Sequence, residues 1–220
     1  MSGQQLFLTS NASTVIPSIV KNLDLSKGNK LSFILTASEG EKGDKTWLED
    51  DRNALKKAGF TVTDYTITGK NEDTLKRNLS TFDYIFLSGG NTFYLLQRSY
   101  ESGFIPVIQD LIKSQGKVYI GSSAGSVIAG PKLPTYLSQL DNPKDTGMAG
   151  EVAYNFVNFT ILPHWGSKNF KDAYLKGRLE LAYKKDQVPL ILLTDSQYVH
   201  VMGDSFKIKE TKEKRSSTFL

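Results

Sequence analysis

The chain has 220 residues, 39% of them hydrophobic and 23% charged, and no cysteine, which excludes disulfide frameworks, thiolate-ligated metals and every cysteine nucleophile. Its formal charge of +4 comes from separated basic residues, among them Lys56, Lys57, Lys184, Lys185 and the tail from Lys207 to Arg215. Each group is interrupted by acids or set at a helix end or terminus, so a nucleic-acid partner is not expected.

In chain order, short apolar runs at 6–9, 31–36, 61–67, 84–88, 118–121, 159–162 and 189–194 read as strands, bounded by Gly, Asn, Asp or Ser. Between them, 45–58 places Trp47, Leu48, Asp51, Leu55 and Ala58 near one helical face, with Gly59 as terminator. Residues 71–79, 91–102 and 105–114 read as further helices. Strands that are apolar throughout and alternate with helices argue for a parallel sheet covered on both faces. The rhythm breaks at 131–150, expected to be a long loop. A helix at 168–185 and a hairpin of 198–202 and 205–208 around Gly203 and Asp204 close a single domain over 1–210, with 211–220 a flexible tail. The first residues carry no basic leader and no run of 18 apolar residues occurs, so a cytoplasmic protein without a membrane partner is expected.

Ligands of parallel α/β sheets bind beyond the carboxyl ends of the strands, and two such ends carry chemistry. Ser88-Gly89-Gly90-Asn91-Thr92 follows a strand and opens a helix; its glycines let backbone N–H groups turn toward an anion, while a plain turn capped by Asn91 or Thr92 is the alternative. Gly121-Ser122-Ser123-Ala124-Gly125 lies between strand and helix and fits the nucleophile-elbow pattern, with the Ala124 N–H aimed at a developing oxyanion. Only Ser123 has glycine at both −2 and +2. A serine nucleophile needs a base. His164 stands at a strand's carboxyl end, whereas His200 lies inside a strand. Asp141, Asp145 and Glu151, between Ser123 and His164, are candidates for the acid.

Phe86-Leu87-Ser88-Gly89-Gly90-Asn91-Thr92-Phe93-Tyr94-Leu95-Leu96, Gly121-Ser122-Ser123-Ala124-Gly125 and Ile161-Leu162-Pro163-His164, in that order, resemble the dipeptidase E family of serine peptidases, which includes α-aspartyl dipeptidases and is related to cyanophycinases. The resemblance runs from about Leu6 to at least Leu193. It implies a three-layer α/β/α fold, class I glutamine amidotransferase-like and flavodoxin-like, with serine at the elbow where that fold often has cysteine. It further implies Ser123 as nucleophile, His164 as base, and Gly89, Gly90 and Ala124 as oxyanion donors. The family's Asp-x-Pro segment matches Asp141-Asn142-Pro143 through a gap of about three residues, which makes Asp141 the implied acid. Where better-known members have three glycines before Asn-Thr, this chain has Ser88-Gly89-Gly90. Known members prefer an N-terminal aspartate, for which Arg178, with Lys168 and Lys171 behind it, is the expected counter-charge beside Asn91 as a substrate contact.

The resulting expectation is a serine peptidase that hydrolyses short peptides, dipeptides foremost, through an acyl-enzyme, with no metal or organic cofactor, acting as a monomer or homodimer. Two other readings use the same residues. An α/β-hydrolase esterase would take His200 as base, and a silent homologue would use the glycine turns only to bind an anion.

Overall fold

The computed structural model describes residues 3–134, 136–137, 151–185 and 188–211. In chain order its elements are β1 (Gln5–Thr9), α1 (Ala12–Ile19), β2 (Lys30–Ile34), α2 (Thr36–Glu39), α3 (Thr46–Lys57), β3 (Thr61–Tyr65), α4 (Glu72–Leu79), β4 (Tyr84–Leu87), α5 (Thr92–Ser102) and α6 (Phe104–Gln109). There follow β5 (Val118–Ser122), α7 (Ala124–Val127), β6 (Thr160–Leu162), α8 (Lys171–Ala173), α9 (Leu179–Lys185), β7 (Leu190–Leu192), β8 (Gln197–Met202) and β9 (Ser205–Glu210). No helix among the described residues is long and apolar enough to cross a membrane.

A seven-stranded sheet runs in the order β3-β2-β4-β5-β1-β8-β9. The neighbours from β3 to β1 pair in parallel, and β8 and β9 add an antiparallel hairpin at the β1 side. Successive side chains point to opposite faces, and here both faces are buried. Phe7, Leu31, Phe33, Tyr84, Phe86 and Ile120 face one way, against Ala12, Val15, Ile16 and Ile19 of α1 and Leu48 and Leu55 of α3. Leu6, Leu8, Ile85, Leu87 and Tyr119 face the other, against α4, α5 and α6 through Leu75, Leu79, Phe93, Leu96, Phe104 and Ile108. Phe33 and Phe86, level across β2 and β4, stack with ring centroids 4.7 Å apart. The expected mainly parallel sheet with helices on both sides is therefore present, and the fold is flavodoxin-like.

Three differences from the sequence reading bear on the site. Residues 12–19, unassigned from sequence, form α1, capped by the Asn11 side chain and containing Pro17. The strands expected at 159–162 and 189–194 do not join the large sheet; β6 and β7 pair with each other in a separate parallel ladder. The single helix expected at 168–185 is interrupted by a π-helical turn at Tyr174–Arg178. Much of the expected loop at 131–150 and the tail from 212 lie outside the described residues.

Candidate active site

Strand register brings the reactive segments together. Thr9 is level with Ser122, and Leu87 with Gly121, so Ser10, Ser123 and the Ser88-Gly89-Gly90 turn leave the sheet side by side. The separate ladder repeats the arrangement. Leu162 is level with Leu192, and the two chains continue to His164 and Asp195. The Leu193 N–H donates to Leu162 O (3.0 Å) and the Trp165 N–H to Leu193 O (2.9 Å), which ties the two turns to each other.

The elbow is strained and well braced. Ser123 has φ 49° and ψ −108°, a conformation that costs a side-chain-bearing residue about 1–3 kcal/mol. Its N–H donates to Thr9 O (3.0 Å). Three residues on, the Ser126 hydroxyl accepts from the Thr9 N–H (2.7 Å) and lies within donating distance of Thr9 O and Gly121 O. Tyr119 donates its hydroxyl proton to Gly125 O (2.6 Å). Glycine at −2 and +2 is a steric requirement: a Cβ at Gly121 would lie 2.5 Å from Gly125 O, and one at Gly125 would lie 2.2 Å from Leu87 O.

Ser123 Oγ lies 3.0 Å from His164 Nε2, and His164 Nδ1 lies 2.8 Å from Asp195 Oδ1. With a carboxylate at Nδ1, the proton belongs on that nitrogen, which leaves Nε2 as acceptor for the serine hydroxyl. Ser10 reinforces the pair: its Oγ accepts from the His164 N–H (2.7 Å) and donates to Asp195 Oδ1 (2.6 Å). Phe170 stacks on the imidazole at 4.6 Å. Burial alone would raise the Asp195 carboxyl, but hydrogen bonds from His164 and Ser10 outweigh it and hold the group below the ordinary aspartate value. A hydroxyl, imidazole and carboxylate in this order can generate a nucleophile at neutral pH.

These groups open into a cleft of about 520 Å³. Gly89, Gly90 and Ala124 line it beside Ser123, and a Cβ on Gly89 would stand 3.3 Å from the Ser123 Cβ. Trp47, Tyr136, Phe170 and Tyr174 give it apolar walls, and Glu41, Lys42, Asp44, Asp50 and Asp51 line the side formed by α3 and the segment before it. Among the described residues no group of His, Cys, Asp and Glu is placed to hold a metal ion.

Residues 1–209 match the sequence model of Peptidase family S51. The chain belongs to this family. This S51 peptidase is 33% identical over 188 residues to an uncharacterised peptidase of Listeria monocytogenes, covering 85% of this chain and 90% of the relative. It is 29% identical to a Drosophila melanogaster protein named a probable alpha-aspartyl dipeptidase, covering 82% of this chain and 74% of that one. A crystal structure from Listeria monocytogenes described under the peptidase E name superposes with a TM-score of 0.84 at 28% identity, covering 95% of this chain and 99% of the other. Together with a serine at the elbow and no cysteine, family membership makes the protein a serine-type peptidase.

Among the described residues, several expected at the S51 site stand away from the cleft, and two expected acids fall outside those residues. Asp141, expected as the acid, and Asp145 lie outside the described residues. The carboxylate on His164 is Asp195, while Glu151 is exposed at the far end of the loop, with its carbonyl bonded to the Leu133 N–H. Asn91 does not line the cleft; its side chain caps α5 by accepting from the Tyr94 N–H (2.9 Å). Arg178 is only 1% exposed and packs under the Tyr174 ring at 5.0 Å, so it supports a wall residue and does not line the cleft. Lys168 and Lys171 are exposed outside it. His200 stacks on Phe7 within the sheet and borders a different depression, which removes it as a base for Ser123. Sequence reasoning missed Asp195 and Ser10, although each directly follows a strand expected from sequence.

Proposed function

We propose that the chain hydrolyses short peptides, dipeptides first among them, through an acyl-enzyme on Ser123. The observation that carries this reading is the continuous chain of hydrogen bonds from Ser123 Oγ through His164 to Asp195 at the floor of one cleft. His164 Nε2 takes the hydroxyl proton as Ser123 attacks the peptide carbonyl, and Asp195 keeps the imidazole oriented and stabilises its charged form. Backbone N–H groups of the Gly89-Gly90 turn and of Ala124 receive the oxyanion. His164 then protonates the leaving amine, and water releases the acyl group by the same steps.

A cleft of about 520 Å³ is the size of a small-molecule site, which supports short substrates over folded proteins. The acidic wall suits the ammonium group of a free N-terminus. Lys42 is the cation among the described lining residues, and Arg178 is not available to hold an N-terminal aspartate.

The test is a panel of dipeptides with acidic, neutral and basic N-terminal residues, run beside labelling with a fluorophosphonate. Wild type should cleave members of the panel and be labelled, and Ser123→Ala should do neither while keeping its fold. Labelling that persists in Ser123→Ala would overturn the reading.

A further inference from the structure

Asp51 interrupts the apolar stripe of α3, between Leu48 and Leu55. It is 4% exposed, yet it borders the cleft. A buried carboxylate at a core-facing helix position is costly unless its bonds serve something. Here they lead to the elbow. Asp51 Oδ1 accepts from the Ser13 N–H (2.8 Å) at the start of α1. At the same end of α1 the Ser122 oxygen accepts from the neighbouring Ala12 N–H (3.3 Å), so Asp51 and Ser122 hold successive N–H groups, and Ser122 favours the ionised form of the carboxylate. Ser122 immediately precedes Ser123.

We propose that Asp51 is a positioning residue: its carboxylate fixes the turn that presents Ser123 and sets a second negative charge facing the imidazolium that forms on His164. This rests on the reading of Ser123 and His164 given above. Asp195 touches His164 directly and sets its tautomer; Asp51 acts through Ser122 and through space.

The charged form is the working form. Ionised, Asp51 accepts from the Ser13 N–H and is favoured by the neighbouring Ser122. Protonated, the group becomes a weaker acceptor for the Ser13 N–H, gains a donor beside Ser122 and loses its negative charge. The titratable groups that share the cleft lining with Asp51 and act on it electrostatically are Asp50, on its own helix, and His164, from the turn after β6. α1, which packs along α3, carries no titratable side chain, and Glu41, Lys42, Asp44 and Asp195 complete the ionisable lining of the cleft. Burial pushes the carboxyl up to about 6, with Asp50 adding to the rise and the bonds from Ser122 and Ser13 and the attraction of His164 opposing it. Asp51 is thus mainly ionised at neutral pH and becomes protonated as pH falls through about 6.

The experiment measures kcat, KM and the rate of fluorophosphonate labelling against pH for wild type, Asp51→Asn, Ser122→Ala and Ser123→Ala. Asp51→Asn should lower kcat and the labelling rate roughly 10- to 100-fold with KM within about twofold, the size expected when orientation and charge at a reacting centre are perturbed. The acid limb should be steeper than one proton in wild type and follow a single proton in Asp51→Asn. Ser122→Ala, which keeps the charge and loses the link, should slow labelling and retain the steep limb. If Ser123→Ala is unlabelled and Asp51→Asn reacts at the wild-type rate with an unchanged limb, the inference about Asp51 fails alone. If Ser123→Ala is labelled, the nucleophile itself is wrong. Should Asp51→Asn not fold, Ser122→Ala decides by itself: wild-type labelling in that variant overturns the proposal.

Discussion

At the scale of single residues, the site divides into groups that local sequence announces and groups that it does not. Ser123 and His164 stand in short motifs, and for Ser123 the neighbours are required by geometry, since the glycines at 121 and 125 have no room for a Cβ. Asp195 has no such neighbours, and what identifies it is its bond to His164. The prediction at this scale therefore concerns Asp195. Replacing it with Asn keeps the shape but removes the acceptor that places the His164 proton on Nδ1, so kcat should fall by roughly 10³-fold or more with little change in KM. Steady-state kinetics on a cleaved dipeptide read this directly. A variant retaining more than a tenth of wild-type kcat would show that another carboxylate orients the base. Ser10 is equally silent in the sequence: a serine after a strand is common, and only the pairing of β1 with β5 brings it beside Ser123, where it meets His164 from the separate ladder.

At the scale of elements, local periodicity was a good guide wherever one element determines its own face, and a poor one wherever pairing decides. The strands at β1, β2, β4 and β5 were legible because both of their faces are buried, which makes them continuously apolar. α1 has its buried residues at 12, 15, 16 and 19, the spacing of a helix, yet Pro17 within it lowers helix propensity and hid the pattern. Nothing in a local window says that β6 and β7 pair with each other, and that pairing is what delivers the acid to the base. The elbow offers the element-scale test. At Gly125, α7 presses backbone to backbone on the end of β4, where a Cβ would approach Leu87 O to 2.2 Å. No rotamer can relieve a contact with main chain, so Gly125→Ala should destabilise the fold by about 3 kcal/mol or more, read as a lower urea midpoint. A midpoint equal to that of wild type would mean that β4 and α7 are less tightly engaged than this geometry requires.

At the scale of the whole molecule, the cleft holds two carboxyls pulled in opposite directions, Asp51 buried and Asp195 partly exposed, and pH separates their effects on stability. Asp195 is held below its ordinary value, so the stability it contributes is present above the unfolded aspartate value and is lost as pH falls through the lower folded one. Asp51 is the reverse case. Its folded value of about 6 lies above the ordinary 3.8, so between those limits the folded state binds more protons than the unfolded state, and stability falls as pH rises. A shift of this size corresponds to on the order of 3 kcal/mol given up at neutral pH, at about 1.4 kcal/mol per unit. Asn at this position imitates the neutral acid at every pH. Asp51→Asn should therefore melt above wild type at pH 7.5, by roughly 6–12 °C for a chain of this length, and the gap should close as pH approaches 4. Thermal melts across that range measure it. A gap that stays constant with pH would mean that Asp51 carries no raised value in the folded chain. A variant that gains stability at neutral pH while losing turnover would mark Asp51 as a charge retained for the reaction at the expense of the fold.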